Sequence, residues 1–335
     1  MFSGKVHRMD DLVLERLIKE AMDMGINTFS WQGGEPTLMG LPFFEKVVSI
    51  QLKHSSPGML IANALQTNGT LLDPAWAAFL AEYKFLVGLS IDGPALLHDH
   101  YRKDISGRGT FKRVIKAAEL LMAYGVETNA LVLLNNINIR EPETVYEFLK
   151  SAGFHFMQFI PCVEPGRKDT AAPFSVNPSE YGDFLIRIFD LWAADFPGIS
   201  VRDFDDLLLH ELGKSPMTCT TNDLCGDYVV IEHNGDVYAC DFLVTKEWRL
   251  GNILEQPLEA IISSDRFSSF CSRKADLGRI CRQCPFLALC HGGCQRHRTA
   301  LGGDITDPSY FCRAYRRLFA HAEVRIPELA IRIRL

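Results

Sequence analysis

The side chains best able to do chemistry in this chain are its thiols. It has ten cysteines, nine of them after residue 218, and eight form a dense series. Cys219 and Cys225 are separated by five residues, and Cys240 follows after fourteen. Cys281-x2-Cys284-x5-Cys290-x3-Cys294 comes next, and Cys312 follows after seventeen more. Eight thiolates make two sets of four, the number required by two [4Fe–4S] clusters or by two tetrahedral zinc ions, and spacing alone leaves both open. Cys162 and Cys271 stand outside the series and read as small, idle side chains. A disulfide framework belongs to short exported chains, whereas this one has 335 residues and begins Met1-Phe2-Ser3-Gly4-Lys5, without an apolar signal core. A net charge of −6 offers no basic stripe for nucleic acid, and no apolar run approaches the roughly 18–20 residues that span a bilayer. The expectation is a cytoplasmic protein with two metal centres and no nucleic-acid or membrane partner.

The first part must supply the scaffold. Helical apolar spacing over 10–24, 41–52, 73–82, 110–124 and 141–152 alternates with short apolar runs at 27–31, 59–66, 85–91, 127–134 and 154–160. Five strands with helical crossovers predict an α/β fold with a parallel sheet, and near-continuous apolar runs suit strands covered on both faces. Asp73 and Thr110 are the expected caps of two of the helices. Small or polar residues end the strands (Gly33-Gly34, Thr67-Asn68, Ser90 with Asp92, Asn135), and α/β folds bind ligands at that end. Residues 164–180, Lys168 among them, read as a linker. Helices are expected at 178–194 and 203–213, and a hairpin around His233-Asn234-Gly235-Asp236. The alternation Ile331-Arg332-Ile333-Arg334-Leu335 reads as a short strand or a frayed tail. Three regions follow: 1–165, 166–215 and 216–335.

Gly33-Gly34-Glu35-Pro36 at a strand end resembles the motif by which radical S-adenosylmethionine (SAM) enzymes hold the SAM amino group. The cysteine series resembles the SPASM domain. More narrowly, Trp31-Gln32-Gly33-Gly34-Glu35-Pro36-Thr37, Leu89-Ser90-Ile91-Asp92-Gly93-Pro94 and Cys240-Asp241 resemble anaerobic sulfatase-maturating enzymes, which oxidise a Cys or Ser of a sulfatase to Cα-formylglycine. The resemblance implies a partial (β/α)6 barrel lacking its first strand, followed by a small cysteine-rich α+β domain. It implies crossed ligand sets for two auxiliary [4Fe–4S] clusters: Cys219, Cys225, Cys240 and Cys294 for the first, and Cys281, Cys284, Cys290 and Cys312 for the second. SAM is then expected against Gly33, Gly34 and Glu35, with Ser90 and Arg102 toward its carboxylate or ribose and Val163 beside its adenine. Gln32 is expected to bind the substrate backbone. Asp241 is expected to take the proton that the substrate thiol or hydroxyl loses. A protein or peptide substrate and an electron donor such as flavodoxin or ferredoxin complete the implied partners.

One element of the family pattern is missing. The radical-generating cluster needs a Cys-x3-Cys-x2-Cys loop, and no cysteine precedes Cys162. The expectation is therefore a fragment, inactive as given, with the third [4Fe–4S] cluster forming only in a complete chain. Two other readings remain at this stage: another SPASM peptide maturase, or a non-catalytic iron–sulfur or zinc protein that binds peptides or carries electrons.

Overall fold

The computed structural model describes residues 7–167 and 170–334. The start at Met1-Phe2-Ser3-Gly4-Lys5, the linker residue Lys168 and the final Leu335 lie outside the described residues. The principal sheet has six parallel strands in sequential order: β1 (Thr28–Trp31), β2 (Ala62–Thr67), β3 (Leu86–Ser90), β4 (Thr128–Leu134), β5 (Phe156–Pro161) and β6 (Ser200–Val201). The first five are the expected ones. The sixth is a correction to the count: two residues pairing as Phe156↔Ser200 and Met157↔Val201, too short to leave a hydropathic signal. β1 is an edge of the sheet.

Crossover helices α1 (Asp11–Asp23), α2 (Leu41–His54), α3 (Pro74–Glu82), α4 (Ala95–Tyr101), α5 (Phe111–Ala123) and α6 (Pro142–Ser151) accompany the strands. Asp73 caps α3 as expected, accepting from the Trp76 amide at 3.0 Å. Thr110 does not cap α5. Its hydroxyl is engaged by the Arg102 carbonyl and the His98 ring, and Asp99 takes the Phe111 amide instead at 2.8 Å. The segment expected to be a helical linker is helical, with α7 (Pro178–Asp195) and α8 (Arg202–Glu211), and it also completes the sheet through β6. Tyr181, Phe184, Ile188 and Trp192 of α7 are buried in the main core with Leu65, Val87, Leu89 and Val132 of the strands. At roughly 1.5–3 kcal/mol per buried large apolar side chain, that face makes α7 part of the core.

The cysteine-rich part carries a three-stranded antiparallel sheet, β7 (Val230–Ile231), β8 (Asp236–Tyr238) and β9 (Arg249–Asn252); the first two form the expected hairpin. This part joins the scaffold on two flanks. Val237, Ile253, Leu258 and Ile261 share a buried cluster with Val13, Leu14 and Ile18 of α1. On the other flank, Ala314, Leu318 and Phe319 of the helix Cys312–Ala322 enter the main core. The tail is neither strand nor frayed: Arg325–Arg334 is helical, and Ile326, Leu329 and Ala330 are buried at i, i+3 and i+4. No helix among the described residues is long and apolar enough to cross a membrane.

Candidate active site

Parallel strands end together, so the loops after β1, β2, β3, β4 and β5 share one rim. A buried amide network fixes the end of β1. Trp31 Nε1 donates to Asn63 Oδ1 at 2.9 Å, and Asn63 and Gln51 exchange hydrogen bonds at 2.9 and 3.0 Å. Beyond it, Gln32, Gly33 and Gly34 are exposed. Gly33 has φ +145°, a conformation that favours glycine, and nothing lies within 4 Å of where either glycine would carry a Cβ, leaving the backbone open. Glu35 turns inward. Its Oε1 accepts from the Thr37 amide and hydroxyl and the Thr67 hydroxyl at 3.1, 2.6 and 2.7 Å, and its Oε2 accepts from the Asn68 amide at 2.8 Å. Both carboxylate oxygens are thus used to clasp the β1 and β2 ends together.

At the next two strands Ser90 ends β3, half-buried, with Arg102 across the following loop. Arg102 grips Asp92 with two bonds, Nε to Oδ2 at 2.5 Å and Nη2 to Oδ1 at 3.0 Å, and Asp92 Oδ1 also accepts from the Leu133 amide at 2.9 Å. Such a fork holds the guanidinium in one orientation while leaving its other N–H groups unused. Val163 is 2% exposed and belongs to the main core.

A bridge leads from this rim to the second part. Glu164, next to Val163, forms an ion pair with Arg296, and the Arg296 guanidinium lies 5.1 Å from the centre of the Phe242 ring. Phe242 follows Asp241, so the last strand-end loop is tied to the carboxylate. Asp241 opens a short 3-10 turn (Asp241–Leu243) directly after Cys240. Its Oδ1 accepts from the Tyr228 hydroxyl at 2.7 Å and the Phe242 amide at 3.0 Å, with Cys240 Sγ at 3.5 Å. Burial, followed by the nearby Cys240 and Asp241, pushes the Tyr228 hydroxyl well above its ordinary range, so it remains a donor. Sequence reasoning missed Tyr228; twelve residues from Cys240, it gave no local signal.

The eight series cysteines separate into two neighbourhoods. Burial and then the thiols of Cys294 and Cys225 push Cys219 up to about 11. Cys240 is pushed up to about 12, by burial first, with Asp241 and Cys294 contributing. Burial, with Cys312, Cys281 and Cys284 adding, pushes Cys290 up to about 11. Cys294, four residues from Cys290 along the chain, instead feels Cys225. The neighbours thus divide as Cys219, Cys225, Cys240, Cys294 and Cys281, Cys284, Cys290, Cys312, and the latter four line one cavity of about 110 Å³ with Phe286, Ser309 and Arg316. Among the described residues no three His, Cys, Asp or Glu side chains converge closely enough to hold a single metal ion. The donor set, all sulfur in fours, fits an iron–sulfur cube.

The scaffold positions the first set. Asp206 on α8, 2% exposed, accepts from the amides of Met217 and Thr218 at 2.7 and 3.2 Å and the Thr221 hydroxyl at 2.9 Å, fixing the approach to Cys219. Cys271, read as idle, lies beside this set: its carbonyl accepts from the Cys225 amide at 3.3 Å, and a Cβ on Gly226 would stand 2.6 Å from its Sγ. Lys274 and Arg298 are buried next to the thiols and were also missed.

The parallel sheet with an open strand-end rim and the paired thiol sets define a radical SAM protein with a SPASM domain. Family models agree: the radical SAM superfamily matches residues 1–149, and the SPASM iron–sulfur cluster-binding domain matches residues 224–285. The cysteine-type anaerobic sulfatase-maturating enzyme of Clostridium perfringens is 39% identical over 332 residues, 97% of this chain and 90% of that protein. The serine-type enzyme of Bacteroides thetaiotaomicron is 37% identical over 337 residues, 94% of this chain and 81% of that protein. A solved structure, native anSMEcpe with bound AdoMet and Cp18Cys peptide, superposes with a TM-score of 0.91 at 40% identity, covering 97% of this chain and 92% of that one. The chain belongs to the anaerobic sulfatase-maturating enzymes, protein-modifying radical SAM oxidoreductases whose cofactors are SAM and [4Fe–4S] clusters.

Proposed function

We propose that this protein takes part in oxidising a Cys or Ser side chain of a sulfatase to Cα-formylglycine, with Asp241 as the proton acceptor. The observation that carries this reading is the Asp241 carboxylate, fixed beside a thiol quartet and tied through Phe242, Arg296 and Glu164 to the strand-end rim. Cys219, Cys225, Cys240 and Cys294 would hold the first auxiliary cluster, and Cys281, Cys284, Cys290 and Cys312 the second. When bound, these cofactors and SAM supply hydrogen-atom abstraction and an acceptor for one electron.

The remaining work belongs to side chains. A Cys or Ser that loses a hydrogen atom from Cβ, a proton from its thiol or hydroxyl, and one electron reaches the aldehyde or thioaldehyde level. Oδ1 of Asp241 is already engaged by Tyr228 and the Phe242 amide, which leaves Oδ2 to receive the proton. The open backbone of Gly33 and Gly34 suits the SAM amino group, and Glu35 holds that loop in place through its four bonds. Ser90 and the unused N–H groups of Arg102 face the carboxylate or ribose of SAM in this reading, Val163 supports the adenine, and Gln32 meets the substrate backbone. Residues 1–165 together with β6 and α7 of 166–215 serve as barrel, and 216–335 as auxiliary-cluster domain. The substrate is a sulfatase polypeptide, the electron donor a flavodoxin or ferredoxin, and the compartment the cytoplasm.

Two measurements test this. Anaerobic reconstitution of the chain is expected to give about eight iron and eight sulfide; two zinc without sulfide would remove the cluster assignment. In a chain given an added Cys-x3-Cys-x2-Cys segment, Asp241→Asn is expected to stop formylglycine formation while SAM cleavage continues. An undiminished product yield would take Asp241 out of the mechanism.

A further inference from the structure

Lys274 is completely buried. Its ammonium donates to the carbonyls of Cys219 and Thr220, the latter at 3.1 Å. None of the ion pairs among the described residues includes it; its ionisable neighbours are first the thiols of Cys225, Cys219 and Cys294, which carry negative charge when they ligate a cluster. Carbonyl oxygens solvate an ammonium without neutralising it, and a buried cation with no anion is strongly disfavoured. The thiolates of the first quartet are the compensating charge within reach. A second donor reaches the same set: Gln295, 2% exposed, holds Nε2 3.3 Å from Cys225 Sγ and 2.9 Å from the Phe270 carbonyl.

The second quartet is served differently. Among the described residues no side-chain N–H or O–H donates to Cys281, Cys284, Cys290 or Cys312. The other buried cation, Arg298, neighbours Cys281 and Cys290 but also Cys225 and Cys294, so its charge acts on both sets. Arg316 lines the cavity of the second quartet but is exposed, so water screens its charge, and Lys274 is the asymmetric buried charge. Positive charge and N–H donors beside cluster sulfurs favour the reduced, more negative state and raise the potential.

We propose that Lys274, assisted by Gln295, holds the first auxiliary cluster at a higher potential than the second, suiting the site beside Asp241 to take the electron released by the substrate. Lys274 acts through the cluster as a positioning and tuning residue. The inference rests on the ligand sets proposed above.

The test is a redox titration of the reconstituted chain followed by electron paramagnetic resonance. Replacing Cys281 and Cys284 by Ala leaves only the first cluster's signal and so identifies it. Lys274→Gln retains N–H donors while removing the charge, and Lys274→Arg retains the charge. Lys274→Gln is expected to shift the reduced-to-oxidised ratio of the first cluster at least tenfold toward oxidised, which is 59 mV lower for a one-electron couple. The second cluster is expected to stay in place, and Lys274→Arg to restore the first. An unmoved first potential, or an equal shift of both clusters, overturns the proposal. If Lys274→Gln loses the first cluster's iron, retention in Lys274→Arg supports a need for charge, and loss in both assigns Lys274 to scaffolding and overturns it. About eight iron with no shift rejects Lys274 alone; an unmodified chain that never reaches about eight rejects the ligand sets and this inference with them.

Discussion

Acid is expected to loosen the loop between β3 and α5 through one imidazole. His98 is fully buried, its Nδ1 lies 3.3 Å from the Asp92 amide, and its Nε2 lies 3.0 Å from Thr110 Oγ1. An amide only donates, so Nδ1 must be bare and the neutral ring must carry its proton on Nε2. Thr110 then accepts from His98 and donates to the Arg102 carbonyl at 3.1 Å, which places the imidazole beneath the Asp92–Arg102 pair. Burial pushes His98 down to about 4, outweighing the opposite pull of Asp92. An ordinary histidine titrates near 6.5, so between pH 6.5 and 4 the unfolded chain binds a proton that the folded chain refuses. Stability is complete above pH 6.5 and falls as pH drops, by about 2 kcal/mol at pH 5 and about 3 kcal/mol at pH 4. Nitrogen-15 imidazole spectra are expected to keep the Nε2–H tautomer through pH 5, and urea midpoints measured from pH 7 to 5 should fall more steeply than those of His98→Gln. A His98 ring that titrates near 6.5, or identical slopes in the two proteins, would refute the reasoning.

Two further perturbations follow from buried groups. Asp203 is pushed up to about 7 by burial, with Asp206 adding, and its Oδ2 has no hydrogen-bond partner. A raised carboxyl favours folding below its unfolded value near 3.8 and loses that advantage as pH rises to 7. Asp203→Asn is therefore expected to stabilise by up to about 4 kcal/mol above pH 7 and hardly at all at pH 4, read from unfolding midpoints; equal gains at both pH values would contradict this. Gly278 presses on a crossing strand of backbone. Its amide donates to the Thr306 carbonyl at 3.0 Å, and a Cβ there would stand 2.4 Å from that oxygen. Since Cys281 lies three residues on, Gly278→Ala is expected to cut bound iron from about eight to about four per chain; full retention would show that the loop can open without loss.

The strands and crossover helices were readable because each buries an apolar face long enough to set a period. β6 was not, since two residues have no period; it is recognised only by pairing with β5. The tail misled for the opposite reason. Its last residues alternate Ile and Arg, but the burial that makes it a helix comes from Ile326, Leu329 and Ala330 upstream. Thr110 looked like a cap from its type and position, yet its hydroxyl was claimed by groups eight and twelve residues away. At the proposed site, Asp241 was offered by the Cys240-Asp241 pair of the family resemblance, and the thiol series by its spacing. Tyr228, Lys274 and Arg296 could not, because their significance lies in partners distant along the chain: Lys274 with the Cys219 carbonyl, Arg296 with Glu164.

The division of the cysteines into two neighbourhoods has a mechanical consequence. Cys290 and Cys294 enclose only His291, Gly292 and Gly293, yet they face different quartets, so this short stretch connects the two centres. Arg298, 2% exposed, donates into it: Nε to the Gly292 carbonyl at 2.9 Å and Nη2 to those of His291 and Gly293 at 2.8 and 3.5 Å. His291, Gly292 and Gly293 all have positive φ, so the carbonyls turn toward one guanidinium by a path that regular backbone does not follow. Arg296 continues the line outward to Glu164 and Phe242. Within nine residues, from Cys290 to Arg298, the chain thus touches the second quartet, the first quartet, the neighbour of Asp241 and the strand-end rim. This segment joins the two thiol neighbourhoods by the shortest covalent path, so on the proposed roles the separation of proton acceptor and electron acceptor would be set by short covalent geometry as well as by loop packing.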